Sequence, residues 1–186
     1  TLSPPKHVTS ALKTYIDDNQ IQMYPDYGSF LPKLSQYADV EQNRLIVTNG
    51  SDQAIEIVLR AFLGKDDEMV MAQPGFPMFT QIAGVIGAKV IGVPYYPDMQ
   101  FPYKEFFEAI TPETKLVILI NPDNPTGASI SMSAIEDVLK IRNDLPVIVD
   151  EAYFEFTSKT ALDFFKSYPN LIILRTFSKA FAMAGL

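Results

Sequence analysis

Short apolar runs alternate with amphipathic stretches along most of this 186-residue chain. Several of the apolar runs are near-continuous Val, Ile and Leu, which is typical of strands covered by helices on both faces of a sheet. The predicted strands are residues 45–48, 68–72, 89–93, 116–120, 147–149 and 171–174. The predicted helices between them are residues 52–62, 78–86, 103–109, 131–142 and 161–165.

This alternation of strands and helices indicates βαβ units and therefore an α/β fold with a mostly parallel sheet. Right-handed crossovers place helices on both faces, so that the sheet is sandwiched. Ligands of such sheets bind at the carboxyl ends of the strands, and each unusual motif of this chain lies at or just beyond such an end. The first 28 residues differ, because a predicted helix at residues 8–19 is followed by a turn-rich segment. We expect residues 1–28 to form an amino-terminal arm and residues 29–186 to form the main domain.

Composition narrows the classes of function. The net charge is −7 and no basic tract is present, so neither nucleic acid nor an anionic membrane is an expected partner. The chain has no cysteine, which excludes a disulfide scaffold and fits a location in the cytoplasm. No apolar run approaches the roughly 20 residues of a membrane span. His7 is the only histidine, so neither a histidine metal site nor a Ser-His triad is predicted.

Three motifs place distinctive groups at strand ends. Residues 49–52, Asn-Gly-Ser-Asp, form a turn and a helix start, whose free N–H groups suit a phosphate, although an ordinary capped helix has the same pattern. Residues 121–127, Asn-Pro-Asp-Asn-Pro-Thr-Gly, form a rigid loop that can hold an amide side chain in one orientation. Residues 74–77, Pro-Gly-Phe-Pro, place an aromatic ring on a stiff loop, where it serves either a site or the core.

Two further motifs place opposite charges at strand ends. Residues 146–153 put Asp150 at the end of a buried strand, a pattern shared with P-loop nucleotide-binding proteins. That alternative requires G-x-x-x-x-G-K-[ST], which the chain lacks. Lys179 follows another strand, and two hydroxyl residues, Thr176 and Ser178, precede it closely. A lone lysine is usually a solvated surface group, but a partly desolvated amine can form a Schiff base.

Taken together and in this order, the motifs resemble those of fold-type I pyridoxal-phosphate (PLP) aminotransferases, most closely the histidinol-phosphate aminotransferase branch. The strongest matches are Asn-Gly-Ser-Asp at 49–52, Asn-Pro-Asp-Asn-Pro-Thr-Gly at 121–127, Asp-Glu-Ala-Tyr at 150–153 and Arg-Thr-Phe-Ser-Lys-Ala-Phe at 175–181. The resemblance extends from Tyr24 to Leu186. It implies that the chain holds most of the large PLP-binding domain.

The resemblance also implies a role for each candidate residue. Lys179 would carry the cofactor as a Schiff base and then act as general base. Asp150 would pair with the pyridinium nitrogen, which keeps the ring an electron sink. The remaining cofactor contacts would be Asn124 and Tyr153 at the phenolic oxygen, Phe76 at the ring face, and Ser51, Asp52, Thr176 and Ser178 at the phosphate. Tyr24 would reach the phosphate of a neighbouring subunit, which implies a homodimer.

The chain departs from the family's pattern at two residues, and three features of the family are expected beyond Leu186. Phe76 stands where this branch usually has tyrosine, and Ala182 stands where glycine is usual. The arginine expected to grip the phosphate would follow Leu186, and the small carboxyl-terminal domain would come after it. The family's sheet also has an interior antiparallel strand in that region. We therefore expect these 186 residues to belong to a longer protein. Expressed alone, they should be inactive and fold with low stability.

The expected reaction is amino transfer between histidinol phosphate and 2-oxoglutarate in histidine biosynthesis. A PLP-dependent lyase, such as a decarboxylase of an amino-acid phosphate, has the same motifs and remains an alternative. A non-catalytic domain that keeps the fold is a second alternative, although it would have no need for the candidate residues. Release of carbon dioxide without a keto product would favour the lyase.

Overall fold

A computed structural model of the protein describes residues 3–18 and 21–185. Two helices precede the sheet, α1 (Lys6–Asp17) and α2 (Phe30–Ala38). The first corresponds to the helix predicted at residues 8–19, whose last residue lies outside the described part, and the second was not predicted. The chain continues as α3 (Gly50–Phe62), β1 (Glu68–Gln73), α4 (Pro77–Ile86), β2 (Lys89–Pro94), α5 (Tyr103–Ala109), β3 (Thr114–Ile120), α6 (Met132–Ile141), β4 (Val147–Asp150), α7 (Phe154–Thr157) and β5 (Leu171–Leu174).

The five strands form one sheet in the order β2-β1-β3-β4-β5, and all the neighbouring pairs are parallel. The predicted α/β class is confirmed. The register aligns the carboxyl ends of β3, β4 and β5, because Ile120 pairs with Asp150 and Asp150 pairs with Leu174. Loops that follow β3, β4 and β5 therefore leave the sheet at the same level.

Helices cover both faces of the sheet, as the unbroken apolar strands predicted. On one face, Phe106 of α5 and Ile135 of α6 are fully buried with Val117 and Leu119 of β3. On the other face, a second core cluster packs α3 and α4 against the alternate residues of β3, and it includes Ile55, Leu59, Phe79, Leu116 and Ile118. Complete burial of each such side chain contributes about 1.5–3 kcal/mol, so the two clusters fix the sheet between its helices.

The strand predicted at residues 45–48 is wrong. This segment has no regular secondary structure and pairs with none of the five strands, and Ile46 is 80% exposed. An apolar run shows only that side chains would benefit from burial, whereas a strand also needs a neighbour for its N–H and C=O groups. The segment at 161–165 is a 3₁₀ helix (Ala161–Phe164) rather than an α-helix, and a second 3₁₀ helix spans Gln42–Arg44.

None of the helices in the described part of the chain is both long enough and apolar enough to cross a membrane.

Candidate active site

The loops at the carboxyl edge of the sheet surround a cavity of about 270 Å³. The amino-terminal turn of α3 and the segments after β1, β3, β4 and β5 all contribute to it. The predicted site residues that line this cavity are Ser51, Asp52, Phe76, Asn124, Asp150, Tyr153, Ser178 and Lys179. The fold thus brings eight side chains from five separate segments to one place, at the edge where parallel sheets bind ligands.

The amino terminus of α3 forms one wall. Gly50 has φ +69°, a conformation that other residues adopt only with strain, and its N–H donates to the Thr48 carbonyl at 2.9 Å. The N–H of Asn49 donates to Oε1 of Gln53 at 2.6 Å. The next N–H groups, on Ser51 and Asp52, belong to the first helical turn and have no acceptor within the helix. Together with the helix dipole they make this wall suitable for an anion.

The loop after β3 is held by its own side chains. The carboxamide of Asn121 accepts from the N–H of Ile130 at 3.0 Å and donates to its carbonyl at 3.4 Å. Oδ2 of Asp123 accepts from the N–H and the hydroxyl of Thr126, at 3.1 and 2.6 Å. Burial raises the pKa of the Asp123 carboxyl, an effect that its hydrogen bonds partly offset. The neighbouring Asn124 is therefore presented to the cavity from a fixed loop.

Asp150 is the last residue of β4 and is only 3% exposed. One carboxylate oxygen accepts from the N–H of Ala152 at 3.0 Å. Burial raises the pKa of Asp150 to about 6, with further increases from the charges of Glu151 and Asp52, while the Ala152 hydrogen bond and Lys179 act in the opposite direction. A desolvated carboxylate that faces a cavity is suited to a cationic ligand group.

Lys179 extends into the same cavity from the segment after β5. Its side chain is exposed, and Nζ lies 5.8 Å from the centroid of the Tyr153 ring. The segment turns sharply because Oγ1 of Thr176 accepts from the N–H of Ser178 at 3.1 Å and donates to its hydroxyl at 2.9 Å. Thr176 is buried and supports this turn without lining the cavity. Ala182 has φ +56°, so alanine in place of the usual glycine adds roughly 1–2 kcal/mol of backbone strain.

Aromatic rings of α2 pack against the lysine segment. The rings of Phe30 and Phe177 are 6.2 Å apart, and those of Tyr37 and Phe181 are 5.8 Å apart. The Tyr37 hydroxyl donates to Oε1 of Glu155 at 2.8 Å, and burial raises its pKa to about 12. The unpredicted helix α2 therefore supports the loop that carries Lys179.

Tyr24 lies apart from the other predicted residues. It does not line the cavity and its side chain is 97% exposed. A contact from Tyr24 to a neighbouring subunit stays a prediction. Among the described residues, no group of three or more His, Cys, Asp or Glu side chains is arranged to hold a metal ion.

The sequence motifs did not reveal a charged pair, Glu151 and Arg175, which joins the ends of β4 and β5 at 2.9 Å. The available signal was the presence of one charged residue immediately after each of two buried strands. Asn121 and Asp123 were also given no role, although both lie inside a motif that was singled out.

Phe76 reaches the cavity because Gly75 lets the loop after β1 pass close to the sheet. A Cβ at Gly75 would lie 2.9 Å from Cε of Met71 and 3.0 Å from the Ala72 carbonyl. We expect Gly75→Ala to destabilise the full-length protein by about 1–3 kcal/mol, because the backbone must shift to relieve these contacts. Chemical unfolding measures this change.

Gly84→Ala is the matched control for that prediction, because a Cβ at this exposed helical position meets nothing within 4 Å. It should stabilise α4 by about 0.5–1 kcal/mol. Equal effects of the two substitutions would contradict the close approach at Gly75.

Comparison with known proteins places these observations in a family. The whole chain, residues 1–186, matches the family described as aminotransferase class I and II. A histidinol-phosphate aminotransferase of Dehalococcoides mccartyi is 38% identical over 170 residues, which cover 90% of this chain and 47% of that protein. The chain spans about half the length of the curated relatives that it matches.

Two solved structures have the same fold. The histidinol-phosphate aminotransferase of Sinorhizobium meliloti, in complex with pyridoxal-5'-phosphate, has a TM-score of 0.89 at 24% identity, covering 98% of this chain and 51% of that one. The L-threonine-O-3-phosphate decarboxylase of Porphyromonas gingivalis has a TM-score of 0.79 at 26% identity, covering 99% and 57%. Because the family match extends over its full length, the chain belongs to the class I and II aminotransferase family.

Proposed function

We propose that the full-length protein is a PLP-dependent aminotransferase that transfers an amino group between histidinol phosphate and 2-oxoglutarate. The single observation that carries the proposal is the cavity that combines a buried carboxylate, an accessible amine and a helix amino terminus. The names of several relatives, which are 35–38% identical to this chain, support the choice of histidinol phosphate.

The residues fit three of the polar groups of PLP. Asp150 offers a buried negative charge to the pyridinium nitrogen. The first turn of α3 offers N–H groups to the phosphate, together with the hydroxyl of Ser178 at the other side of the cavity. Lys179 offers an exposed primary amine for covalent attachment to the aldehyde. Each of these protein groups thus suits the charge or the reactivity of the cofactor group that it would meet.

When bound, PLP supplies the electron sink that stabilises a carbanion at the substrate's α-carbon. Asp150 would pair with the positive charge of the ring nitrogen and keep that nitrogen protonated. Nζ of Lys179 would act as the base that moves the proton. Asn124 and Tyr153, which line the cavity, would donate to the phenolic oxygen, and Phe76 would cover one face of the ring.

We further propose a domain division, a dimer and a cellular location for the whole protein. Residues 1–28 act as an arm and residues 29–186 belong to the large domain. Two copies form a dimer in which Tyr24 reaches the phosphate site of the partner subunit. The absence of cysteine supports a location in the cytoplasm.

A decarboxylase of an amino-acid phosphate is the second candidate, because the Porphyromonas gingivalis structure shares the fold at 26% identity. The two activities differ in their products. The purified full-length protein, loaded with PLP, is incubated with histidinol phosphate and 2-oxoglutarate. We expect glutamate to form in equal amount with a keto product, without release of carbon dioxide.

The matched assay replaces histidinol phosphate with threonine O-phosphate and omits 2-oxoglutarate. Release of carbon dioxide in this assay, with no glutamate formed in the first, would make the protein a decarboxylase. Failure of the full-length protein to bind PLP would contradict both candidates.

A further inference from the structure

Two charged residues lie side by side at the ends of adjacent strands. Asp150 of β4 pairs with Leu174 of β5, so the next residue on each strand is at the same level. These residues are Glu151 and Arg175. The ladder continues to this level, because the N–H of Glu151 donates to the Leu174 carbonyl at 2.8 Å.

The two side chains form a closely connected ion pair. Nε and Nη2 of Arg175 donate to Oε2 of Glu151 at 3.0 and 2.9 Å. Glu151 also accepts from the Thr160 hydroxyl at 2.9 Å and from the N–H of Ala161 at 2.6 Å. The guanidinium carbon lies 3.8 Å from the centroid of the Phe154 ring. The Glu151 side chain is 1% exposed and that of Arg175 is 19% exposed, so water screens the pair only weakly.

The pair lies behind the cavity rather than in it. Successive residues of a strand point to opposite faces, and Asp150 lines the cavity whereas Glu151 does not. Arg175 does not line it either, but it directly precedes Thr176, which forms the turn to Lys179. The pair therefore connects the two segments that present the acid and the amine of the site.

We propose that Arg175 is a positioning residue that acts through Glu151, holding the Lys179 segment against β4 and neutralising the carboxylate beside Asp150. The role of Asp150 as partner of a cationic ring rests on the proposed function. Neither Glu151 nor Arg175 touches the reacting groups in this arrangement, so their contribution is to geometry and charge.

The effect of the ion pair on the pKa of Asp150 depends on the other charges around this carboxylate. Glu151, which directly follows Asp150, and Asp52 on α3 raise the pKa of Asp150, whereas Lys179 and the N–H of Ala152 lower it. Loss of Arg175 leaves the negative charge of Glu151 without a counter-ion and should raise that pKa further. Neutralising Glu151 should have the opposite effect.

The experiment uses the full-length apoprotein and pyridoxine 5′-phosphate, which has no aldehyde and therefore binds without attachment to Lys179. Its dissociation constant is measured by calorimetry from pH 5 to pH 9 for the wild type, Arg175→Met, Arg175→Lys, Glu151→Gln and the Met/Gln double variant. The ionisable groups of the probe titrate in the same way with every variant. Differences between the pH profiles of the variants therefore arise from the protein. Asp150→Asn identifies the part of the profile that belongs to Asp150.

The acidic limb of the binding profile is the pH range in which protonation of Asp150 weakens binding. We expect Arg175→Met to move this limb to higher pH by about one unit, which is about a tenfold loss of affinity on that limb. Glu151→Gln should move the limb downward, and the double variant should return close to the wild type because the two charge changes cancel. Arg175→Lys keeps the charge and should largely restore the limb, while it loses the two-point contact and lowers the midpoint of thermal unfolding.

A merely structural role predicts a different result. If Arg175→Met and Glu151→Gln lower thermal stability but leave the limb in place, the inference is wrong. Should Arg175→Met fail to fold, an unmoved limb in Glu151→Gln alone would overturn it. If the wild type binds neither PLP nor pyridoxine 5′-phosphate, the proposed function fails instead.

Discussion

Lys179→Ala in the full-length protein is expected to abolish the visible absorbance of lysine-bound PLP and to reduce turnover by more than about 10³-fold. The substitution removes the amine that we propose as both the attachment point of the cofactor and the base that moves the proton. Spectrophotometry of the protein reconstituted with PLP measures the first effect, and a glutamate-formation assay measures the second.

Lys115→Ala is the matched control, because Lys115 is also exposed but lies near the amino-terminal end of β3, away from the site. This variant should keep both the absorbance and the turnover of the wild type. Turnover of Lys179→Ala close to that of the wild type would remove Lys179 from the mechanism.

Asp150→Asn is expected to have opposite effects on stability and on catalysis. The folded protein raises the pKa of Asp150 from 3.8 to about 6, so the folded state binds more protons than the unfolded state between these values. Ionisation therefore destabilises the apoprotein as the pH rises from about 4 to above 6, by roughly 3 kcal/mol at 1.36 kcal/mol per pKa unit. Asparagine removes this charge, so the variant apoprotein should be up to about 3 kcal/mol more stable at pH 8.

Chemical unfolding of the two apoproteins measures this difference, which should narrow as the pH falls towards 4. Turnover should fall by about 10²-fold or more, well beyond any loss of cofactor affinity, because the carboxylate supports charge that develops during the reaction. A variant within a few-fold of the wild-type rate would show that Asp150 is not the partner of the ring nitrogen. Equal stability of both apoproteins at pH 8 would show that burial of the charge is not costly.

The pattern of apolar residues was sufficient to predict the class of fold, because β1, β3 and β4 are buried on both faces and carry unbroken apolar runs. It could not distinguish such a strand from the unpaired segment at residues 45–48, since pairing depends on neighbours and not on local composition. Helix α2 was missed for a different reason. It is short and contains Pro32, a residue that usually interrupts helices but is tolerated here because it lies in the first turn.

The sequence could predict those parts of the candidate site whose residues belong to one continuous motif. Asp150 and Lys179 each end or follow a strand, so their placement at one edge followed from the parallel topology. The contact between Glu151 and Arg175 could not be predicted in this way, because it depends on the register of β4 against β5. The same holds for Tyr37 and Phe181, whose contact requires knowledge of where α2 packs.

The packing of α2 against the lysine segment has a consequence for synthesis in the cell. Phe30 and Phe177, whose rings meet in the folded protein, are separated by about 150 positions, and the ribosome adds about 5–20 residues per second. The aromatic face of α2 therefore waits on the order of 10 s for the segment that covers it. During this interval the nascent domain exposes these apolar rings, and the cavity at the carboxyl edge of the sheet gains its Lys179 wall only after β5 has docked.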